Sequence, residues 1–264
     1  MTAEVAQSGP SVVAPEASAP RLGRWWRHRG LIVTPVIVVV GLALVALYVS
    51  HQQLDSVEQR ILDPSELLVR LGEHLTLTGY STVIVIVLAV PLGVLLSRAV
   101  VGPVRTGVLA FGGFMQALPP FGVIILMAIL VGAGQFGTTI ALVIASFLPV
   151  LTNTVVGLRQ VDVALVEAAR GMGMSALRTL MKVELPLAIP VMVAGIRVAL
   201  VLNVGTATLA FGVGAGGLGV PIDSALKLGR PEAAFVVSAI VAALALLIDW
   251  LAGLVQHLVS GRVT

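Results

Sequence analysis

The four histidines stand apart at positions 28, 51, 74 and 257, and cysteine is absent. From that set neither a His-Glu-x-x-His zinc site nor a thiolate metal site nor a disulfide framework can be assembled. Ser146 and Ser238 lie in apolar runs, where helix packing accounts for a small hydroxyl and a buried Ser/His dyad is the alternative. The glycine-rich stretch 212–219 invites comparison with a phosphate cradle, but it lacks the Gly-Lys-Ser/Thr ending of a Walker A loop, and no such loop occurs elsewhere. What remains is a set of polar side chains inside apolar runs: Gln116, Asn153, Asn203, Thr206, Arg197 and Asp249. In a membrane such groups are costly, and they face a cavity or a partner. They therefore serve either a polar translocation path or hydrogen bonding between helices.

The elements that position these residues follow from composition. Of 264 residues, 58% are hydrophobic and 11% charged, with mean hydropathy +1.05. Soluble domains are about 45–50% apolar. Sixteen Lys and Arg with thirteen Asp and Glu are too few to cover a soluble fold of this length. The chain reads as an all-α, polytopic membrane bundle, and a secreted scaffold or a nucleic-acid partner is excluded. Six apolar runs, at 31–49, 76–97, 106–131, 138–157, 189–213 and 233–256, approach the length needed to cross a bilayer core at about 1.5 Å per residue. Residues 1–30 form a disordered tail, poor in apolar bulk and basic at its end, and 31–49 reads as a signal-anchor helix. A cleaved signal peptide is the alternative, although its apolar core should be only about 7–15 residues long. A multi-span domain covers 75–257, and 258–264 is a short tail.

The isoelectric point of about 9.9 resembles a polyanion signal, yet the net charge is only +3. Position matters more than the sum. Arg21, Arg24, Arg27, Arg29, Arg98, Arg105, Arg159, Arg170, Arg178, Lys182 and Arg262 fall on the side of the termini, against Arg60, Arg70, Lys227 and Arg230 on the other. The positive-inside rule therefore places both termini in the cytoplasm.

Arg197 and Asp249 each lie about seven residues, roughly 10 Å, from the cytoplasmic ends of the fifth and sixth spans. Opposite charges at equal depth on consecutive antiparallel helices suggest an ion pair, and independent snorkelling to the interface is the alternative. Asn203 and Thr206 share one face of the fifth span, with Gln116 on the third and Asn153 on the fourth as companions across a path. Pro119 and Pro120 interrupt the third span and Pro149 the fourth, which suits either a moving pore or static packing.

The cytoplasmic segment 159–188 is patterned as helices. Asp162 is placed to cap a helix from Val163 in which Val163, Val166 and Ala169 recur at helical spacing. Gly171 and Gly173 end it, Ser175 caps a second short helix through Lys182, and Pro186 and Pro190 shape the return into the membrane. The product is an amphipathic hairpin over 162–186, built either to dock a partner or to lie on lipid headgroups.

Glu167-Ala168-Ala169, three residues to Gly173, then nine to Val183-Glu184-Leu185-Pro186 resembles the EAA signature of ABC-importer permeases, with Val183 where isoleucine is usual. Gln116-Ala117-Leu118-Pro119-Pro120, the run 148–154, Gly171-Met172-Gly173-Met174, the run 203–210 and the run 214–219 resemble the osmoprotectant branch, which carries glycine betaine, choline and carnitine. Methionine permeases share the EAA and glycine-rich patterns. The resemblance covers about residues 75–254 and implies a type I, MetI-like permease of six spans.

It implies that Glu167, Ala168, Ala169, Gly173, Leu185 and Pro186 form the coupling element for a separate ATPase, present in two copies and holding the ATP and Mg²⁺. No cofactor or metal is expected on this chain. A solute-binding protein outside the membrane and a second permease copy or paralogue are the other expected partners. Gly214, Gly216, Gly217 and Gly219 would give backbone freedom to a gate at the outer mouth, or else make only a tight return loop. An ion-coupled secondary carrier is the rival reading, for which Asp249 is the one acid within a span, and a non-transporting scaffold is another.

Overall fold

The computed structural model describes residues 23–260, and all the regular structure among them is helical. In chain order the elements are α1 (Gly23–His51), α2 (Ser56–Ile61), α3 (Pro64–Leu96), α4 (Gly102–Ala117), α5 (Pro120–Val131), α6 (Gln135–Arg159), α7 (Val163–Gly171), α8 (Ala176–Thr179), α9 (Leu185–Ala207), α10 (Gly219–Lys227) and α11 (Pro231–Ser260). A π-helical turn, Leu180–Glu184, joins α8 to α9, and a 3-10 segment, Thr208–Val213, ends α9. Among the described residues five helices are long and apolar enough to cross a membrane, or six when the bent pair α4–α5 is taken as one. Alternate crossings gather the start of α1, the end of α11 and the α7–α8 hairpin at one end of the bundle. The other, the loop end, carries α2, α10 and the glycine-rich segment.

Several boundaries differ from the sequence expectation, each for a local reason. The second span starts at Pro64 rather than Thr76. Asp63 Oδ1 accepts from the N–H groups of Ser65 at 2.8 Å and Glu66 at 3.2 Å, proline occupies the first helical turn, and Arg70 pairs with Glu66 and Glu73 along the helix. The third span is not one helix over 106–131 but two, meeting at 96°. Leu118 and Pro119 precede prolines and take extended ψ values of 139° and 123°, which ends α4. Pro149, by contrast, does not interrupt the fourth span: α6 runs through it, and the Pro149 carbonyl accepts from Asn153 Nδ2 at 2.8 Å. The fifth span begins at Ala176 instead of residue 189, since α8, the π turn and α9 form one continuous rod. Helix α10, in what reads from the sequence as a loop, is an addition. Residues 1–22 and 261–264, which include most of the tail expected at 1–30 and four of the seven residues of that at 258–264, lie outside the described residues.

Helices α3, α6 and α9 form the centre. Val85 and Ala89, Val150, Leu151 and Val155, and Ala199 are buried together between them. Toward the loop end Leu77, Val123, Ile124, Leu142 and Ala207 continue the core. Backbones approach closely where α6 meets α9: a Cβ on Gly195 would stand 2.6 Å from the Pro149 carbonyl oxygen, so only glycine fits. Helix α1 packs on α11, with Tyr48 edge-on to Phe235 at 6.3 Å between ring centres. The rest of its described surface is largely exposed and apolar, as a lipid-facing helix requires.

Candidate functional site

The hairpin is built from caps outward. Asp162 Oδ1 accepts from Ala164 N at 2.9 Å and starts α7; Ser175 Oγ accepts from Arg178 N at 3.4 Å and starts α8. Between them Gly173 takes φ of +83°, its N–H donates to the Arg170 carbonyl at 2.9 Å, and the Met174 N–H donates back to Ala169 at 3.2 Å. That bonding pattern is a Schellman cap, and its left-handed residue favours glycine over any residue with a Cβ. Glu167 and Ala168 are exposed, Ala169 is 2% exposed, and no atom crowds the space above Gly173. Val163, Leu165, Met172, Leu177 and Met181 leave the same hairpin with an exposed apolar surface. Small residues flanked by apolar ones on a rigid knob suit close contact with another protein.

The hairpin is fastened to the bundle at its exit. Leu185 packs with Leu158, Ala188 and Met192, and Pro186 sits in the first turn of α9, directly after the π turn Leu180–Glu184. Glu184, with a side chain only 7% exposed, receives the Arg98 guanidinium from the α3–α4 connection: Nη2 to Oε2 at 2.8 Å and Nη1 to Oε1 at 3.3 Å. A buried carboxylate without this partner would be strongly unfavourable. Sequence reasoning missed this joint, although Glu184 was a legible signal as an acid within an otherwise apolar return segment.

Of the four residues expected along a polar path, two are brought together. Gln116 and Thr206 line one cavity of about 80 Å³ at the α4–α5 break, walled by Pro120, Val123, Ile144 and Leu202. Asn153 and Asn203 do not join them. Asn153 bonds the Pro149 carbonyl of its own helix and packs against Gly195. Asn203 is fully buried and donates to Thr82 Oγ1 at 3.0 Å, tying α9 to α3. Its position is that of an interhelical bond and not of a pore wall.

The glycine-rich segment is tied to α3 by a hydrogen bond. Gly214, Gly216 and Gly217 have φ of +71°, +83° and +83°, and the Gly217 N–H donates to Glu73 Oε2 at 2.8 Å. Gly219 is no part of the loop: it opens α10, against the Thr208 backbone, where a Cβ would collide with the carbonyl. Beside Gly217, His74 is fully buried with Nε2 3.1 Å from the Val204 carbonyl. Glu73 and His74 thus hold the end of α9 and the glycine turn against α3, a pair of contacts that the late start assumed for the second span had hidden.

Arg197 and Asp249 are brought together. Nε and Nη2 each lie 2.5 Å from one oxygen of the Asp249 carboxylate, a two-pronged pair clamping α9 to α11. No cluster of three or more His, Asp or Glu able to hold a metal occurs among the described residues.

Comparison with known proteins agrees with this architecture. The family described as binding-protein-dependent transport system inner membrane component matches residues 89–261. The chain is 37% identical to the glycine betaine/carnitine/choline transport system permease protein OpuCB of Bacillus subtilis, over 75% of this chain and 90% of that one. It is 36% identical to the osmoprotectant import permease protein OsmY of Salmonella typhimurium, over 81% and 89% of the two. Among solved structures it resembles a chain of the MetNI methionine ABC transporter with a TM-score of 0.65 and 23% identity, over 74% of this chain and 96% of that one, a likeness of fold.

Proposed function

This chain belongs to the binding-protein-dependent transport system inner membrane components, and from that premise we propose that it is the permease subunit of an ATP-driven importer of compatible solutes, quaternary ammonium compounds such as glycine betaine, choline and carnitine. The observation that carries the mechanism is the capped hairpin with Glu167 and Ala168 exposed on a knob continuous with the central helix α9. Support for the substrate class comes from the names and coverage of the similar permeases.

In this reading two copies of an ATPase, which bind the ATP and Mg²⁺, receive the hairpins of this chain and of a second permease, identical or paralogous. The excess of basic residues on the hairpin side orients that end, and both termini, toward the cytoplasm. A solute-binding protein outside the membrane supplies the aromatic enclosure that a quaternary amine requires. ATP binding draws the hairpins together, and the rod from Ala176 to Val213 carries that displacement through the bilayer. Arg98 and Glu184 make the foot of the rod move with the α3–α4 connection. The cavity between Gln116 and Thr206 lies where α9 faces the bent α4–α5 pair, so relative motion there opens or closes a polar passage.

The test is uptake of radiolabelled glycine betaine, choline and carnitine by cells lacking their own uptake systems, expressing this chain with its ATPase and binding protein. Uptake of at least one compound that stops when the ATPase cannot hydrolyse ATP is the expected result. Uptake that continues without ATP hydrolysis would favour the ion-coupled carrier instead.

A further inference from the structure

Where α4 breaks from α5, two phenylalanines stand beside the cavity of Gln116 and Thr206. Phe121 follows Pro120, a wall residue of that cavity, and Phe211 lies five positions beyond Thr206 on the 3-10 segment that ends α9. Their rings stack with centres 6.2 Å apart and planes 25° from parallel. Gly212 helps to seat them: a Cβ there would stand 3.1 Å from the Phe121 ring, so the ring rests directly over the backbone. Phe121 is nonetheless 42% exposed.

The surroundings of this pair are unlike a lipid-facing surface. The exposed face of α1 carries Ile32, Val36, Val39 and Leu47. Here Gly205 and Gly212 are exposed, no atom fills the space above Gly205, and Thr208 adds a hydroxyl that donates to the Gly205 carbonyl at 2.5 Å. Small and polar residues at membrane depth face a cavity or a partner. The adjoining cavity, about 80 Å³, has roughly the volume of two or three waters, room for the polar end of a small solute and not for its bulk. No acid is among its lining residues.

An exposed aromatic face attracts an organic cation through the ring quadrupole, and a quaternary ammonium, with no N–H to donate, is the cation best suited to such a surface. We propose that Phe121 and Phe211 form a binding station for the trimethylammonium head of the solute on its way through the permease, with Gln116 and Thr206 taking its other end. The assignment rests on the importer reading above and deepens it. An amide and a hydroxyl donate to a carboxylate or a hydroxyl alike, so the station selects the cationic head and tolerates different tails. An open pair of rings without an acid also lets the head go again, which a conducting passage requires.

The experiment uses the complete transporter in proteoliposomes, with binding protein outside and ATP inside, and reads initial uptake of radiolabelled glycine betaine, choline and carnitine. Phe121 and, separately, Phe211 are replaced by phenylalanine bearing one, two or three ring fluorines, which drains charge from the ring face with little change in size. Uptake should fall stepwise with fluorine number, by about fivefold at three fluorines on Phe121. Phe121→Trp, a better partner for a cation, should keep or raise uptake, and Phe121→Leu should lose at least as much as the trifluorinated ring. The same series at Phe136, 70% exposed on the first turn of α6, should leave uptake unaltered. Uptake independent of fluorine number at both Phe121 and Phe211 overturns the station. So does a loss in Phe121→Leu that the fluorine series does not reproduce, because the ring is then packing against lipid or the second permease. A wild-type transporter that takes up none of the three compounds when ATP is supplied contradicts the importer reading itself.

Discussion

The pair Arg197–Asp249 shows how much a single residue type can say. Two opposite charges in apolar runs at matched depth were legible from spacing alone, because lipid leaves a charge few places to go. Each side chain is about one third exposed, at 35% and 33%, so solvent and headgroups soften the cost of separating them. We expect Asp249→Asn to lower stability by about 1–2 kcal/mol, less than a fully buried pair would lose. Thermal melting in lipid nanodiscs checks this. The double variant Arg197→Met with Asp249→Leu should recover most of the loss, and melting unchanged by Asp249→Asn would show that the two charges act independently. Amides and hydroxyls were harder to read. Asn203 and Thr206 share a helix face in sequence, yet Asn203 is turned against Thr82 while Thr206 reaches the cavity with Gln116. Which neighbour occupies each side of a helix is decided by packing, and a one-dimensional period does not contain it.

Elements were legible where end signals were local. Asp162 and Ser175 start α7 and α8 as their types suggest, and Gly173 ends the first of them. The reading failed where one residue supports two outcomes. Pro186 looks like a breaker, but it follows directly on the Leu180–Glu184 π turn, through which the hairpin runs on into the membrane. Charged residues 66, 70 and 73 looked like a loop because the span was sought by hydropathy, whereas their three- and four-residue spacing extends α3. The consequence for function lies at the π turn. Arg98→Ala leaves the Glu184 carboxylate buried and unpaired, which costs about 2–3 kcal/mol and falls on the hairpin exit. Amide hydrogen exchange across residues 176–184 should then speed by at least about tenfold, with α11 unaffected. Glu184→Gln in the Arg98→Ala background should restore much of the protection. Equal exchange in wild type and Arg98→Ala would mean that the joint contributes nothing to holding the hairpin.

At the scale of the molecule, composition and the placement of basic residues carried most of the architecture. A helical multi-pass bundle with a patterned 30-residue segment on one side was readable because bilayer thickness dictates span length and the caps at Asp162 and Ser175 with the break at Gly173 mark the hairpin. The right-angle break at Pro119–Pro120 and the loop-end cap made by α2 and α10 were not, since both arise from how helices pack once the spans are in place. The whole account depends on the hairpin as the place where an ATPase takes hold. The most direct test is affinity purification of the tagged protein from its own membranes in mild detergent, wild type beside Gly173→Asp, with mass spectrometry of what accompanies each. Gly173 stands at φ +83° at the apex of the hairpin, so aspartate there both strains the turn and charges the contact surface. The account predicts an ATPase bound to the wild type and lost from the variant while both remain folded in the membrane. A wild type that brings no ATPase even after cross-linking, or a variant that retains it undiminished, would contradict the coupling role of the hairpin.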